Sequence, residues 1–219
     1  MSKSMEKAYN HIREMILEGG FVPDQHLSEE QLSEEIGVSR TPIRDALKRL
    51  ERDYFVVIQA NRGARVRRWG EQDIDDLFNL RAMIEGFAAR RAAARATDAQ
   101  IRGLFEQTDR IDVALQDPEN IDLEAFLDGN KKYHQIMCEA SASVRLIDMI
   151  DGLVAQAVIV RTAQGYSFSD LLRSNMHHRE MAEAVAARDG DLAESVMRAH
   201  LLAALRSYKA AQGALLAQD

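Results

Sequence analysis

LSEEQLSEEIGVSRTPIRDALKRLERDYFVVIQANRGARV, the stretch from Leu27 to Val66, decides how the chain is read. Ser28-Glu29-Glu30-Gln31 has the form of a capping box, in which Ser28 caps a helix and Gln31 reaches back. The spacing predicts that this short helix ends at Gly37 and that Ser39 caps the next. On that second helix the apolar residues Ile43, Ala46, Leu47 and Leu50 fall at i, i+3, i+4 and i+7, the period of one buried face. Pro42 sits in its first turn, where a missing N–H costs no hydrogen bond. Two β-prone segments follow, Phe55–Ile58 and Ala64–Val66, on either side of Asn61-Arg62-Gly63, which reads as a hairpin tip.

Upstream, a helix is expected from about Met5 to Glu18, stopped by Gly19-Gly20, with FVPDQHL as a loop. Three helices followed by a hairpin make a winged helix-turn-helix, predicted over residues 1–69. Trp69-Gly70 leads into a linker and the start of a helix over 70–76. The only prolines are Pro23, Pro42 and Pro118, and the chain beyond them is rich in Ala, Leu, Met, Glu, Gln and Arg. Such residues lose little side-chain freedom in a helix, so residues 77–219 are expected to form an all-α antiparallel bundle in a mainly α protein. Gly103, Gly129, Gly152, Gly165 and Gly190 are read as punctuation between its helices, although isolated ones can lie inside.

Composition narrows the class. With 219 residues, 46% hydrophobic and 29% charged, the chain is globular rather than disordered or fibrous. Its longest apolar run, Leu153 to Val160, is broken by Gln156 and falls well short of the roughly 20 residues of a membrane span. The N-terminus has no apolar signal-peptide core, so a cytoplasmic protein without a membrane partner is expected. The single cysteine, Cys138, excludes an intrachain disulfide and a multi-cysteine zinc site.

The net charge of −7 argues at first against nucleic acid, but its distribution reverses that. Residues 1–38 carry 3 basic and 8 acidic side chains, net −5; residues 39–68 carry 9 and 3, net +6; the remainder carries −8. Arg40, Arg44 and Lys48 recur one helical turn apart, on a stripe away from the apolar face. A solvated helix face beside a charged hairpin would share this composition. The basic residues, however, cluster on the helix and wing that such a fold presents to DNA. Arginine forks match guanine in the major groove, and Ser39, Thr41 and the helix N-terminus suit phosphate. Repulsion from the acidic remainder is screened beyond roughly 8 Å at physiological salt, so local charge decides.

Leu27–Val66, and GVSRTPIRDALKRL above all, resembles the DNA-binding domain of GntR-type bacterial transcription regulators. The resemblance implies contacts to double-stranded operator DNA from Ser39, Arg40, Thr41, Pro42 and Arg44, with the wing tip Arg62-Gly63 reaching the minor groove. Some relatives touch DNA with an arginine near the start of the second helix; here that position is Glu30, and the contact is not carried over.

The second part holds His134, His177, His178 and His200. Asn130 and His134 are one turn apart, and His178 and His200 fall on separate helices if the chain breaks near Asp189-Gly190. Three neutral imidazoles and one oxygen suit a borderline divalent metal such as zinc or nickel, with positions left open for an anion. On spacing alone, histidines scattered through an all-α domain are more often ordinary core or surface residues. DLFNLRAMIEGFAARRAA (from Asp76), FLDGNKKYHQIMCEASASVRL (from Phe126) and HREMAEAVAARDGDLAESVMRAHL (from His178) are similar to the helical FCD effector domain of the FadR-like GntR subgroup.

That resemblance implies a divalent metal on Asn130, His134, His178 and His200. Asparagine stands where aspartate is common, so a lower metal affinity or partial occupancy is expected. His177 is taken as peripheral and Cys138 as a small buried residue. Arg81 is either an exposed or interface partner of Glu85 or an anchor for an effector carboxylate, and Arg161 is a weaker anchor. Met137, Met149, Met181 and Met197 are assigned to the core.

The function expected is a homodimeric, ligand-responsive transcription regulator, a repressor by preference, sensing a small organic acid through the metal. Two alternatives stand beside it: a metal-dependent hydrolase, for which no general base lies near the histidines in sequence, and a regulator that senses the ion itself.

Overall fold

The computed structural model describes residues 2–59, 63–153, 158–159, 162–163 and 165–216. The chain divides into two compact units, one built on residues 1–70 and the other on residues 71–154 and 161–219.

In the first unit, α1 (Lys3–Leu17), α2 (Glu29–Ile36) and α3 (Arg40–Arg52) enclose a core of Ile12, Ile16, Leu32, Ile36, Ile43, Leu47 and Leu50. Gly37 closes α2 in the left-handed conformation (φ 70°), which glycine adopts without a Cβ penalty, and Ser39 starts α3. Polar ties hold the first helix in place. Lys7 Nζ donates to the Ile36 carbonyl at 2.7 Å, at the negative end of α2, and the Tyr9 hydroxyl donates to Asp53 at 2.7 Å.

The wing differs from expectation in one respect. FVPDQHL is not all loop: His26–Leu27 forms strand β1, which pairs antiparallel with β3 (Gly63–Val66), while β2 (Val56–Gln59) pairs on the other side. Two residues are too few to show an alternating pattern. Gly63 is needed where these strands approach, since its φ is 75° and a Cβ there would stand 2.8 Å from the Leu27 carbonyl oxygen. Asn61 and Arg62 lie outside the described residues. The capping box at Ser28 does not form either. Ser28 is the N-cap residue of α2 but makes no side-chain cap bond; Glu29 and Glu30 complement the helix dipole in the first turn instead.

The second unit is helical throughout its described residues: α4 (Glu71–Arg95), α5 (Asp98–Ala114), α6 (Leu123–Ala140), α7 (Val144–Leu153), α8 (Phe168–Ala186) and α9 (Gly190–Leu216). The two long helices α4 and α9 lie against each other along an alanine seam (Ala82, Ala89, Ala93, Ala193). Helix α5 packs on α6 and α8, closing a core around Leu104, Tyr133, Met137, Met181 and Met197. Capping boxes do form here, Thr97 with Gln100 and Ser167 with Asp170.

Three glycines read as punctuation, Gly103, Gly129 and Gly152, lie inside helices. Gly129 has a packing reason: a Cβ there would meet Ile111 Cγ1 at 2.7 Å, so its absence sets how closely α6 approaches α5. Met149, assigned to the core, is 52% exposed, because short α7 turns Leu146, Ile147 and Ile150 inward instead.

Gly129→Ala is therefore expected to lower the denaturation midpoint by the equivalent of about 1–3 kcal/mol, the usual cost of overpacking. At Gly103 an added methyl meets only the Ile136 side-chain end at 3.3 Å, so Gly103→Ala should leave the midpoint unchanged or raise it by up to about 1 kcal/mol. Urea unfolding of both variants checks the contrast.

Candidate DNA-reading surface and candidate metal centre

Helix α3 buries Ile43, Ala46, Leu47 and Leu50 and so turns Arg40, Thr41, Arg44 and Lys48 to solvent, with Ser39 exposed at its start. Pro42 is half-buried in the first turn, and the Ser39 hydroxyl makes no cap bond. Six of the nine basic residues counted in sequence fall into two groups. Arg49 stacks over Tyr9 (3.9 Å), Arg67 lies over Tyr54 and Trp69 (5.1 and 5.6 Å), and Arg68 pairs with Asp24 (2.5 Å), so these brace the unit. Arg40, Arg44 and Lys48 form the outward stripe.

That stripe carries its own counter-ions. Arg40 pairs with Glu30, Arg44 with Glu29 at 2.6 Å, and Lys48 lies 3.7 Å from Asp45. Such exposed pairs contribute little to stability. They do place two carboxylates of α2 where a phosphate or base edge would meet the arginines. Removing one should strengthen DNA binding: Glu30→Gln is expected to tighten affinity by about three- to tenfold near 0.15 M salt, more at lower salt, in a fluorescence-anisotropy titration.

In the second unit, α6, α8 and α9 bring together three of the predicted ligands. Ring nitrogens of His134, His178 and His200 all lie within 4.8 Å of one another, and His134 Nε2 stands 3.3 Å from His200 Nε2. His178 and His200 are buried, and both nitrogens of His178 lack any partner. Burial, reinforced by the neighbouring imidazoles, pushes the proton affinity of His178 and His200 well below the ordinary histidine range, so both are neutral. Asn130 lies one turn before His134 on α6 and is half-buried.

A single buried carboxylate orients the cluster. Glu85 of α4 accepts from Arg81 Nε at 2.7 Å and from His134 Nδ1 at 2.8 Å. Burial alone would raise the Glu85 carboxyl, but the adjacent Arg81 and the His134 hydrogen bond outweigh it and bring its pKa down to about 2. An ionised Glu85 can only accept, so His134 Nδ1 carries a proton and Nε2 is the atom turned toward His200. Tyr133 adds a second brace: its hydroxyl donates to the His178 carbonyl at 2.6 Å and its ring stacks on His178 with centroids 4.3 Å apart.

These residues fit a divalent metal. Zinc–imidazole bonds of about 2.0–2.1 Å put neighbouring tetrahedral ligands roughly 3.3 Å apart, and the orphaned His178 nitrogens lack the partner that an ion would supply. Glu85 and Tyr133 were not singled out from sequence. The Arg81–Glu85 spacing was visible, but the Glu85–His134 bond joins different helices and has no local signal.

Arg81 is neither exposed nor free: it is 6% exposed and bound to Glu85. Arg161 lies outside the described residues. His177 stands outside the three-histidine group, with its ring 6.0 Å from that of His200. Cys138 is buried, and burial together with nearby Glu85 pushes its thiol up to about 12. That suits a packed residue rather than a thiolate. Among the described residues no helix is long and apolar enough to cross a membrane.

The chain thus joins a winged helix-turn-helix to a helical unit with a buried histidine cluster. Residues 4–66 match the gntR family of bacterial regulatory proteins, and residues 76–203 match the FCD domain. The chain belongs to the GntR-type DNA-binding regulators that carry an FCD domain, and these are regulators rather than enzymes. It is 26% identical over 199 residues to the HTH-type regulator YdhC of Bacillus subtilis (88% of this chain, 85% of that one). Against the HTH-type transcriptional repressor RspR of Escherichia coli it is 28% identical over 199 residues (90% and 85%). Escherichia coli McbR/YncC shares the fold with a TM-score of 0.70 at 20% identity, over 92% of this chain and 95% of that one.

The buried neutral imidazoles give the chain an acid sensitivity. An unfolded histidine titrates near 6.5, while His178 and His200 in the folded chain stay neutral well below that. The unfolded state therefore binds more protons as pH falls. Stability should be full above about pH 7 and decline below 6.5, by up to about 1.4 kcal/mol per pH unit for each histidine. Denaturant midpoints of metal-free protein between pH 7.5 and 5 check this, with His178→Phe flattening the curve.

Proposed function

We propose that the chain is a homodimeric repressor, acting in the cytoplasm, whose winged helix-turn-helix over residues 1–69 reads an operator half-site. In this reading the linker spans 70–76 and the helical domain over 77–219 senses a small organic acid. The carrying observation is the convergence of His134, His178 and His200 in a buried cluster oriented by Glu85. Asn130, His134, His178 and His200 would hold the divalent ion, zinc or nickel by their nitrogen-rich chemistry. Bound there, the ion supplies a Lewis-acidic seat for an anion.

Ser39, Arg40, Thr41, Pro42, Arg44, Arg62 and Gly63 are proposed as the DNA contacts. Support comes from the outward stripe of α3 and from relatives named as repressors, RspR and a probable D-xylose utilization operon repressor of Paenarthrobacter nicotinovorans. One observation bears on partners. Leu80, Met83 and Phe87 on α4 are 44%, 61% and 47% exposed at helical spacing, an apolar stripe suited to a second copy of the chain. A dimer matches a pseudo-palindromic operator. Acid binding then shifts regulation through its different affinity for the DNA-competent and DNA-incompetent arrangements.

Titration of labelled promoter DNA across salt, with metal content measured on the same protein, tests the reading. Arg44→Ala should weaken site-specific binding by about 1–3 kcal/mol and flatten the salt slope by about 1. His200→Ala should abolish stoichiometric metal, and Asn130→Asp should raise metal affinity. Site-independent DNA binding, or metal retention unaffected by His200→Ala, would sink it. A change in DNA affinity on adding metal alone would make the ion itself the signal.

A further inference from the structure

On the outer face of the wing stands an arginine whose charge nothing beside it cancels. β3 places Arg65 opposite His26 of β1 and opposite Val57 of β2, so these three side chains form one row on the outer face. Leu27, Ala64 and Val66 line the buried inner face. His26 and Arg65 are exposed. Among the described residues Arg65 has no carboxylate within 4.0 Å. The two acceptors that hold it are neutral: Nη1 donates to the Asp24 carbonyl at 2.9 Å and Nε to the Gln59 side-chain oxygen at 3.3 Å. They fix the guanidinium without neutralising it. The Asp24 carboxylate is engaged by Arg68 instead. Arg40, Arg44 and Lys48 of α3, by contrast, each stand beside a carboxylate.

His26 is the direct cross-strand neighbour of Arg65, at a Cβ separation of about 5 Å for such pairs. An arginine gains no ion pair from an imidazole, so attraction between the two does not account for the pairing. The imidazole leans toward Gly63, where an added Cβ would stand 3.3 Å from His26 Nε2. Gly63 and Arg65 share the outer face one pleat repeat apart, about 7 Å along β3. The minor groove of DNA is about 6 Å wide and 7.5 Å deep. With Gly63 in that groove, Arg65 and His26 come to its rim, at the level of the phosphates. Arg67, next on the same face, is folded onto Tyr54 and Trp69 and ends the row.

We propose that the outer face of the wing is a phosphate clamp, in which Arg65 and His26 together hold one phosphate of the strand bordering the minor groove. The contact is independent of base sequence. A guanidinium already fixed by neutral acceptors loses little freedom on binding, and it has no internal anion to give up, whereas the α3 stripe has to release Glu29 and Glu30. The inference rests on the DNA-reading proposal above and adds two residues to it.

The test uses the full-length protein with two labelled duplexes, an operator that the protein itself selects from random DNA and a scrambled duplex of equal length, titrated by fluorescence anisotropy at several salt concentrations. Arg65→Gln should weaken both duplexes by the same factor, about five- to tenfold near 0.15 M salt, and lower the salt slope by about 1, leaving the operator-to-scrambled ratio unchanged. Arg65→Lys should restore the slope, which counts charge, but only part of the affinity. His26→Ala should also weaken both duplexes, and its effect should shrink in the Arg65→Gln background, because the two residues share a partner. A single neutral methylphosphonate, stepped along the strand bordering the minor groove, should at one position reproduce the Arg65→Gln loss with wild-type protein and cause none with Arg65→Gln.

An unchanged salt slope in Arg65→Gln would overturn the clamp while leaving base reading by α3 in place. A loss confined to the operator would do so too, by making Arg65 a reader of bases. A slope that Arg65→Lys fails to restore would reduce Arg65 to a brace of the sheet, and strictly additive losses from His26→Ala and Arg65→Gln would overturn the shared phosphate. A protein that selects no sequence and retains neither duplex at any salt removes this inference together with the DNA-reading proposal.

Discussion

Glu85 is the group on which the helical unit's chemistry turns. A carboxylate 4% exposed cannot remain ionised without partners, and it has two, a guanidinium from its own helix and an imidazole from another. Removing one partner of such a buried arrangement typically costs about 3–5 kcal/mol, because the remaining charge is left uncompensated. The arrangement also orients a ring: an ionised carboxylate can only accept, so His134 Nδ1 carries a proton and Nε2 faces His200. The same interaction that lets a charge lie inside the bundle thus turns one of the three imidazoles toward the others. Stability and site geometry are therefore one feature here rather than two.

His178 shows the other side of that constraint. It is fully buried, stacked on Tyr133, and its ring nitrogens meet no protein donor or acceptor. Burying a polar ring without a hydrogen bond is unfavourable by about 1–3 kcal/mol. A chain selected for packing alone would place a leucine or phenylalanine there. The proposed metal site gives those orphaned ring nitrogens a use that packing alone does not.

Much of the fold was readable from residue patterns with a local cause. The i, i+3, i+4, i+7 spacing of α3, the left-handed Gly37 and the β-prone pair around Gly63 each act over a few residues, and each appears as read. What sequence reasoning missed has non-local causes. Strand β1 exists because His26 and Leu27 find β3 across most of the unit, and Gly129 is helical because α5 needs its missing Cβ. The motif at Ser28 and the one at Thr97 look alike in sequence, but only the second forms a capping box, so a capping pattern marks a helix start more reliably than it marks the hydrogen bonds. At the site, the histidines were legible because metal-ligand chemistry restricts residue type. Glu85 and Tyr133 were not, because a carboxylate or a phenol is common on any helix and acquires its role only from what another helix brings to it.

Charge on the DNA-reading unit obeys the same logic of local partners. A net charge of −7 says nothing about the groove face, and even the +6 of residues 39–68 overstates it, since Arg49 and Arg67 are spent on internal contacts. Arg40, Arg44 and Lys48 reach solvent as a stripe, each beside a carboxylate, and Arg52, Arg65 and Arg68 are exposed as well. On the proposed DNA contacts, phosphate would have to displace those carboxylates to reach the arginines, at a cost to affinity for any DNA. A correct base sequence adds bidentate contacts that phosphate alone does not. If the stripe meets DNA as proposed, the cost of displacing Glu29 and Glu30 falls on operator and non-specific DNA alike, so discrimination has to come from the base contacts.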